Sequence, residues 1–530
     1  MSLGARSSSV VVVGGLACLG GTLFLGGCGS QNATPNNDAG GTGTGGIGGV
    51  GGRGGAGGAA GAGVGGGLVG TGGQARGPVG YDPPQFPSLS GAPCPFTVAP
   101  ASTLCGGRAN CPVVTDAEID DASTIYAAPA PSAGYAMYTT QSTPTHLCFL
   151  TLTSSGASQA VVDPFPITGN GSVPMVSDPA GAPHAFVGTA AGISHLHQSS
   201  PGTWISDTLD PGGQELGGWG NVVSTNTGLA VLFTTHPPLT GGLMPEVVRL
   251  ATGDGSGSWT YDDVFDTAAA SGVWDPTVAV DHDGRPAVFF ETEAVTNYAQ
   301  SLYAWRAGGV AAPFTGPVVS RLATFQAAAT TSADAGPIIS EVDADGLHVW
   351  LFRGGALARD AGLAGAFAGE QLTGCGPISS VRGTPNQGCP GSNNMACTMR
   401  GDGFYSYAHA LGNTADGTTW AVYMVEHADV DGTIRHSCTS GPDSSCSCSL
   451  QVVTDRTTAD LFVARVPAAD AAGGLEPRLR VRLGATINTE TDGIASVAAR
   501  GSLLYVVTTM LAGPAAGTPN RYLIIDTSRL

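Results

Sequence analysis

The chain has 530 residues, of which 83 are glycine and 42% are hydrophobic, and all 21 of its basic residues are arginine. Its formal net charge of −19 disfavours nucleic acid and anionic surfaces as electrostatic partners. The length is sufficient for one large β architecture or two ordinary domains beyond any targeting segment.

The N-terminus has the three-part order of a secretory signal. Arg6 gives the first region a positive charge, and an apolar stretch follows from Val10 to Leu25. A membrane-spanning helix needs about 20 predominantly apolar residues, whereas this stretch is shorter and is broken by glycines. The sequence therefore predicts that residues 1–27 are an export signal.

A cysteine stands where this apolar stretch ends. The tetrapeptide Leu25-Gly26-Gly27-Cys28 resembles the lipobox of bacterial lipoproteins. The resemblance implies that Cys28 is lipidated and anchors the mature chain to the membrane, because a multiply acylated residue binds membranes stably. No Asp follows Cys28, which implies display at the outer membrane or cell surface of a bacterium. The alternatives are lipidation at Cys18 and an ordinary signal peptide with a chance cysteine.

Residues 28–80 are predicted to be a disordered, Gly-rich linker. Glycine has little side-chain area to bury and loses much backbone entropy on folding, so such a segment behaves as a flexible tether. Several GxGxxG matches occur in it, but no strand precedes them and no helix follows. They therefore do not predict a phosphate-binding loop.

Ten cysteines follow this linker, some in a lead-in at residues 81–122 and most in an insertion around residues 375–448. An exported chain lies in an oxidising compartment, so two disulfides are predicted in the early group of four and three in the late group of six, with connectivity left open. A zinc site using His436 is the weaker alternative for the late group. The candidates are Cys94, Cys105, Cys111, Cys148, Cys375, Cys389, Cys397, Cys438, Cys446 and Cys448.

The rest of the chain repeats one unit. Residues 174–209 contain four short extended stretches separated by Asp-Pro-Ala-Gly, Ala-Ala-Gly and Ser-Pro-Gly turns, which predicts a four-stranded antiparallel meander. A second copy begins at Pro276, and helical periodicity is scarce throughout. The second strand of the unit recurs with starts at residues 134, 183, 228, 285, 346, 418 and 501.

This pattern resembles a β-propeller, in which four-stranded blades stand around a channel. The predicted fold is therefore all-β, with a propeller of about seven four-stranded blades over residues 123–530. The last unit offers three strands, and a strand near Phe96 to Ala99 is expected to complete it and close the ring. A pair of β-sandwich domains is the alternative.

Three Asp-x-Asp-Gly sites begin at Asp281, Asp343 and Asp429. Calcium needs six to eight oxygen ligands, and no acidic residues continue these motifs after the glycine. They are interpreted as tight hairpin turns. No cofactor is predicted, and calcium is kept as the alternative.

Residues 252–259 resemble a degenerate Asp-box, the turn of sialidase-like propellers. Thr252, Asp254 and Trp259 match in spacing, whereas Ser256 stands where glycine is expected. An Asp-box is structural, and the arginine cluster and Tyr-Glu pair of sialidases are not recognisable. The resemblance thus supports the fold and not that enzyme.

Asp275 is the one candidate catalytic residue, since it stands directly before the Pro276 strand that is expected to line the channel. Glycoside cleavage needs a general acid and a partner carboxylate, which Glu341 or Asp178 would have to supply from another blade. The favoured interpretation is that Asp275 caps a turn before Pro276.

Two further pairs share a strand face because strands have a period of two. Glu291 and Glu293 are interpreted as solvated carboxylates. His195 and His197 would suit a metal, but no third histidine or carboxylate is evident nearby in the sequence. They are interpreted as a polar strand face, and no metal site is predicted.

These features together predict a lipid-anchored, surface-displayed propeller that binds a glycan or a protein ligand. A carbohydrate-active enzyme that uses Asp275 and a structural envelope lipoprotein are the alternatives. An enzyme predicts carboxylates and arginine converging at the channel mouth, whereas a binding module predicts a mouth without them.

Overall fold

A computed structural model describes the chain from residue 77 onward with gaps. The signal segment, Cys18, Cys28 and nearly all of the linker lie outside the described residues. No helix in the described part is long and apolar enough to cross a membrane. The described residues are 77–83, 93–100, 104–108, 110–119, 122–140, 145–153, 156–162, 173–189, 192–211, 213–215, 221–235, 247–266, 273–280, 285–293, 299–305, 314–319, 327–332, 336–343, 346–353, 356–364, 371–372, 376–377, 395–438, 446–455, 458–468, 473–484, 493–510 and 520–530.

This part of the chain is built from strands, and its described helical elements are two 3₁₀ turns, Leu104–Gly107 and Thr527–Arg529. The strands form seven sheets of four to six strands and one sheet of two. We number the seven larger sheets as blades 1 to 7 in chain order. Three early strands join later blades: β1 (Val79–Tyr81), β2 (Phe96–Val98) and β3 (Val113–Ile119).

Blades 1 to 3 are antiparallel meanders, as the repeated unit predicts. Blade 1 contains β4 (Ala122–Pro129), β5 (Ala133–Thr140), β6 (Leu147–Thr153) and β7 (Gly156–Val161). Blade 2 contains β8 (Met175–Ser177), β9 (Pro183–Thr189), β10 (Gly192–Ser200) and β11 (Thr203–Asp210). Blade 3 contains β12 (Gly213–Glu215), β13 (Val222–Ser224), β14 (Leu229–Thr235), β15 (Val247–Gly253) and β16 (Trp259–Asp266).

Blades 4 and 5 repeat this order. Blade 4 contains β17 (Val273–Val280), β18 (Pro286–Glu293), β19 (Ala299–Trp305) and β20 (Thr315–Val319). Blade 5 contains β21 (Ala327–Ser332), β22 (Gly336–Asp343), β23 (Gly346–Arg353), β24 (Ala356–Asp360) and β25 (Leu363–Ala364). The two-stranded sheet that follows is β26 (Gln371–Leu372) with β27 (Gly376–Pro377).

Blade 6 carries the late cysteines on an extension. Its strands are β28 (Met395–Asn413), β29 (Thr419–Cys438), β30 (Cys446–Asp455), β31 (Thr458–Arg465) and β32 (Glu476–Gly484), with β1 added in parallel to β32. The first half of β29 pairs with β31 and its second half pairs with β30. The register sets Cys438 opposite Cys446 and His436 opposite Cys448. Cys375 and Cys389 lie outside the described residues, so the disulfides of this group remain predictions.

Blade 7 joins the two ends of the folded chain. It contains β33 (Gly493–Arg500), β34 (Leu503–Met510) and β35 (Asn520–Asp526), followed by β3 and then β2. The N-terminal side therefore completes the last blade, but the strand near Phe96 is its fifth strand and not its fourth. β3 is almost entirely buried and takes the inner, fourth position, whereas β2 is half-buried throughout and lies at the edge of the blade.

The first strands of the blades close a ring. In the order β4, β8, β13, β17, β21, β28 and β33, each contacts the next, and β33 returns to β4. The fold is therefore a seven-bladed β-propeller, which confirms that prediction over the β-sandwich alternative. Six of the seven predicted second strands occupy that place in their blades: β5, β9, β14, β18, β29 and β34. The seventh, which starts at residue 346, is β23, the third strand of blade 5, so the prediction of its place is wrong there.

Apolar side chains between neighbouring blades hold the ring together. Six interfaces contain a buried cluster, for example Val187 and Leu196 of blade 2 against Met137 of blade 1. Alternate residues of a strand face opposite sides, so each blade packs both faces on its neighbours. Burial of one such side chain contributes about 1.5–3 kcal/mol.

Both early disulfides form, joining Cys94 to Cys148 and Cys105 to Cys111. The first links the segment before β2 to β6 of blade 1. It therefore crosses from blade 7 to blade 1, where the ring closes.

The three Asp-x-Asp-Gly sites differ in whether they form the predicted hairpin turn. Asp343 pairs directly with Gly346, so this site is the predicted hairpin turn. Asp429 lies inside β29, so the turn prediction is wrong there. The register with β30 shifts between Asp431 and Gly432, which marks a bulge, a place where glycine also suits the backbone. Residues 281–284 lie outside the described residues.

Candidate functional sites in the channel and between two blades

The central channel holds a cavity of about 410 Å³. Six of the seven first strands line it: β4, β8, β13, β17, β28 and β33. Among the lining residues that the structure describes there is no Asp, Glu, Lys or Arg. The polar lining residues are Tyr126, Ser177, Asn221, Ser224, His409, Asn413 and Ser496.

Some of these polar residues tie neighbouring blades together. His409 of blade 6 is 4% exposed, and its Nδ1 lies 2.8 Å from Oγ of Ser340 on blade 5. The Ser177 hydroxyl of blade 2 donates a hydrogen bond to the backbone carbonyl of Pro129 on blade 1. The channel is thus a neutral surface with hydroxyl, amide and imidazole groups set into apolar walls.

Asp275 lies on β17, and this strand lines the channel as expected. The strand begins at Val273, so the interpretation of Asp275 as the cap of a preceding turn is wrong. The register with β18 shifts between Trp274 and Thr277, which places a bulge at Asp275-Pro276. Proline cannot donate to the strand ladder, which explains the irregularity. Only the backbone of Asp275 is described.

The suggested partners of Asp275 do not join it. Glu341 lies on β22, the second strand of blade 5, and not on a channel strand. Asp178 follows the last residue of β8, whereas Asp275 is near the start of β17. The first strands run in the same direction because every blade repeats the same order, so these two residues lie toward opposite ends of the channel. Glu291 and Glu293 lie on β18 with only their backbone described.

A histidine cluster lies on the face of blade 2 that packs against blade 3. His184 is on β9, His195 and His197 are on β10, and Asp207 is on β11. The register sets His184 opposite His197, and His195 opposite Asp207. The expectation that no third histidine or carboxylate lies near the His195–His197 pair is therefore wrong.

The cluster is closely spaced. Nδ1 of His184 lies 2.9 Å from Nε2 of His195, and Nε2 of His197 lies 2.9 Å from Oδ2 of Asp207. The same Oδ2 lies 3.9 Å from Nδ1 of His195. At the other end, Nε2 of His184 lies 3.6 Å from Oδ2 of Asp178. Three imidazoles are thus grouped between two carboxylates, with ring centroids 4.8, 5.1 and 6.1 Å apart.

The histidines differ in burial. His195 is fully buried and His184 is 4% exposed, whereas the side chains of His197 and Asp207 are 15% and 39% exposed. Burial, with smaller contributions from the two neighbouring imidazoles, lowers the pKa of His195 to about 3. Burial also lowers the pKa of His184, against the opposing effect of Asp178. Both rings are therefore neutral at neutral pH.

The Asp-box-like turn of blade 3 covers this cluster. It connects β15 and β16, and Asp254 Oδ1 accepts hydrogen bonds from the backbone N and hydroxyl of Ser256 at 2.9 and 2.6 Å. The Trp259 ring stands edge-on to His195 with centroids 5.2 Å apart. Gly255 approaches so closely that a Cβ there would lie 2.7 Å from Cε1 of His184. The prediction that this motif is a turn is confirmed.

His184 and Asp207 are the members of the cluster that the sequence does not place beside His195 and His197, and the sequence signal for each is weak. Thr189 and Gly192 are the last paired residues of the β9–β10 hairpin, so its connection has two residues. A two-residue connection at the Ala-Ala-Gly turn fixes the register and sets His184 opposite His197. To place Asp207 beside the histidines, the register of the β10–β11 hairpin must also be known, and bulges shift the pairing in that hairpin.

Comparison with known proteins gives no family. No protein-family model matches the sequence, and no curated protein is significantly similar to it. Among solved structures, a protein of unknown function from Dyadobacter fermentans is 9% identical, with 77% of this chain and 94% of that chain covered and a TM-score of 0.37. A polysaccharide lyase is 8% identical, with 77% and 90% covered and a TM-score of 0.37.

A third solved structure is the lectin of Aleuria aurantia in complex with α-methyl-L-fucoside. It is 12% identical, with 68% of this chain and 99% of the lectin covered and a TM-score of 0.32. Similarity at this level carries no argument about ligand or reaction, which must come from the residues themselves.

Proposed function

We propose that this chain is an exported, lipid-anchored propeller that acts as a binding module at the bacterial cell surface and takes a neutral glycan at its channel. Cys28 is the proposed anchor, and the Gly-rich segment after it is the proposed tether that keeps the propeller clear of the membrane. The proposal has two parts, the anchor and the ligand, and each has its own test.

The neutral lining of the channel carries the ligand part of this proposal. Hydroxyl, amide and imidazole groups among apolar walls suit the hydroxyl groups and apolar faces of neutral sugars. Cleavage of a glycosidic bond usually needs two facing carboxylates, and the described channel residues include none. The net charge of −19 further disfavours polyanionic glycans.

The ligand is tested by titrating the purified protein with neutral and uronic-acid oligosaccharides in a calorimeter. Ser496 lines the channel and is half-buried, so Ser496→Trp fills part of the cavity while Ser496→Ala leaves it open. We expect the tryptophan variant to lose at least about tenfold in affinity, or ~1.4 kcal/mol, and the alanine variant to bind nearly as well as the parent. Binding that survives in Ser496→Trp would place the ligand elsewhere.

The anchor is tested by labelling cells with radioactive palmitate. Cys28 in the wild-type protein should carry the label, and Cys28→Ala should abolish it while Cys18→Ala does not. Label that persists in Cys28→Ala would contradict lipidation at Cys28.

A carbohydrate-active enzyme is the second candidate, favoured by the bulge at Asp275-Pro276. Bulges are over-represented beside active sites, where they redirect a side chain, and this one lies on a channel strand. Release of reducing sugar that disappears in Asp275→Asn, with Asp254→Asn as a control far from the channel strands, would favour the enzyme over the binding module.

A further inference from the structure

The histidine cluster of blade 2 contains buried imidazole nitrogens without hydrogen-bond partners. Asp178, His184, His195 and Asp207 form a row with three gaps of 3.6, 2.9 and 3.9 Å between facing polar atoms. Only the 2.9 Å contact has hydrogen-bond length, and the other two gaps are too long to hold a hydrogen bond. Nε2 of His184 and Nδ1 of His195 are therefore both buried without a hydrogen-bond partner.

The contact between Nδ1 of His184 and Nε2 of His195 holds one proton, which either ring can carry. The arrangement in which His195 donates from Nε2 leaves a lone pair on its Nδ1. That lone pair lies 3.9 Å from Oδ2 of Asp207.

A lone pair facing a carboxylate is unfavourable inside a protein unless a cation lies between them. Nδ1 of His195 belongs to a fully buried side chain and has no hydrogen-bond partner. Nε2 of His197 is 2.9 Å from the same carboxylate oxygen. The three potential ligand atoms all lie within 4.8 Å of one another.

We propose that Nδ1 of His195, Nε2 of His197 and Oδ2 of Asp207 bind a zinc ion, with water as the fourth ligand. His184 is the positioning residue, because its Nδ1 accepts the proton of His195 Nε2 and so fixes the tautomer that presents Nδ1 to the metal. Asp178 orients His184 in turn. This site is separate from the channel and does not depend on the proposed glycan.

The donor set selects zinc over calcium. Two imidazoles and one carboxylate with an open position are typical of zinc sites, whereas calcium takes six to eight oxygens. Zinc–ligand bonds of about 2.0–2.2 Å in a tetrahedron put ligand atoms roughly 3.3–3.5 Å apart. The observed separations of 2.9 and 3.9 Å to Asp207 lie on either side of that value. The two imidazole nitrogens lie within 4.8 Å of each other, so a bound zinc ion would draw the two histidines together.

The turn of blade 3 forms one wall of the site. Gly255 lies against His184, and a Cβ at Gly257 would lie 3.0 Å from Oδ2 of Asp207. Trp259 and Phe186 enclose His195 with ring centroids 5.2 and 5.1 Å away. Asp207 is 39% exposed, so the open position faces solvent on its side.

The test is zinc binding by the full-length protein after removal of metal with a chelator. Dialysis against zinc and elemental analysis should give about one ion per chain. His197→Gln and Asp207→Asn should lose it, and His184→Gln should weaken binding by about 10–100-fold. The matched control is His348→Gln, because His348 forms a similar cross-strand contact with Asp360, at 2.7 Å, on blade 5.

The unfolding temperature gives a second measurement that separates binding from misfolding. Asp207→Asn is isosteric at an exposed position, so the metal-free variant should unfold near the wild-type temperature. Added zinc should raise the unfolding temperature of the wild type and of His348→Gln, and should not raise that of Asp207→Asn. Equal zinc binding in wild type and Asp207→Asn would overturn the proposal, whether the zinc is absent from both or bound by the Cys-rich extension in both.

Discussion

Gly255 is the residue at which blade 3 comes closest to the histidine cluster. Its φ of +83° is in the left-handed region, which costs other residues about 1–2 kcal/mol. A Cβ there would also lie 2.7 Å from Cε1 of His184, whose ring is buried at 4% exposure. We expect Gly255→Ala to lower the free energy of unfolding by about 3–4 kcal/mol in urea denaturation.

Gly202 provides the control for this substitution. Its φ of +81° is nearly the same, but a Cβ there meets nothing within 4 Å. Gly202→Ala should therefore cost only the backbone penalty of about 1–2 kcal/mol. Equal losses in the two variants would show that the close contact with His184 contributes nothing.

Asp416 gives the turn between β28 and β29 an acid-sensitive contact. Hydrogen bonds from the Thr414 hydroxyl at 2.6 Å and the Thr418 backbone N at 3.1 Å hold the pKa of Asp416 below its ordinary value of 3.8. A carboxylate with a lowered folded-state pKa stabilises the fold above the unfolded-state pKa and loses that effect as the pH falls through the folded value.

Asp416→Asn should therefore be less stable than the wild type at neutral pH, and the difference should narrow below about pH 3.8. Thermal unfolding of both proteins across this range measures the difference. If the difference in stability stays the same as the pH falls below 3.8, the charge of Asp416 does not stabilise the turn.

The residues of the two candidate sites could be predicted only in part. His195 and His197 are adjacent on one face by the period of a strand, which sequence shows directly. His184 and Asp207 reach them through cross-strand register, which depends on turn lengths and on bulges in β10. The sequence predicts the channel strand itself but places Asp275 directly before it, whereas the strand begins at Val273 and the bulge around Asp275 arises from pairing with β18.

The strands themselves were the most predictable elements. Alternating Val, Phe and Tyr segments between Gly, Pro and Asp turns identify seven strands, because local pattern decides where a strand forms. Six of them are the second strands of their blades, and β23 is the third strand of blade 5. Long-range pairing was less predictable. Asp429 to Gly432 has the composition of a turn, yet it continues β29 because β28 and β30 pair with it on either side.

The extension of blade 6 predicts one disulfide of the late cysteine group. Cys438 and Cys446 are directly opposed in the antiparallel pair of β29 and β30. Opposed residues have Cα atoms about 4.5–5.5 Å apart, within the range that disulfides use. Residues 436–456 form one tryptic peptide that carries all three cysteines, so fragmentation of the unreduced peptide in a tandem mass spectrometer locates the link. It should find Cys438 linked to Cys446, and Cys448 linked elsewhere. A Cys438–Cys448 link would mean that the register of β30 is shifted by two residues.

At the scale of the whole molecule, the ring closes by joining segments from the two ends of the propeller. Arg521 on β35 contacts Asp116 on β3 at 3.3 Å, and both side chains are buried. The hydroxyl of Tyr81 donates a hydrogen bond to the same carboxylate at 2.8 Å. Tyr81 is on β1, so this bond joins the edge of blade 6 to the junction. Loss of one partner from such a buried group typically costs 3–5 kcal/mol, which makes this junction sensitive to single substitutions.

The disulfide between Cys94 and Cys148 spans the same junction and should stabilise it more than the local Cys105–Cys111 bond. The two bonds close loops with separations of 54 and 6 residues, for which loop entropy predicts about 4 and about 2 kcal/mol. Replacing Cys94 and Cys148 with alanine should therefore lower the free energy of unfolding by about 2 kcal/mol more than replacing Cys105 and Cys111. Guanidinium unfolding of both double variants measures this difference. Equal losses would mean that residual structure in the unfolded chain already holds residues 94 and 148 close together, so that the long bond restrains no more chain than the short one.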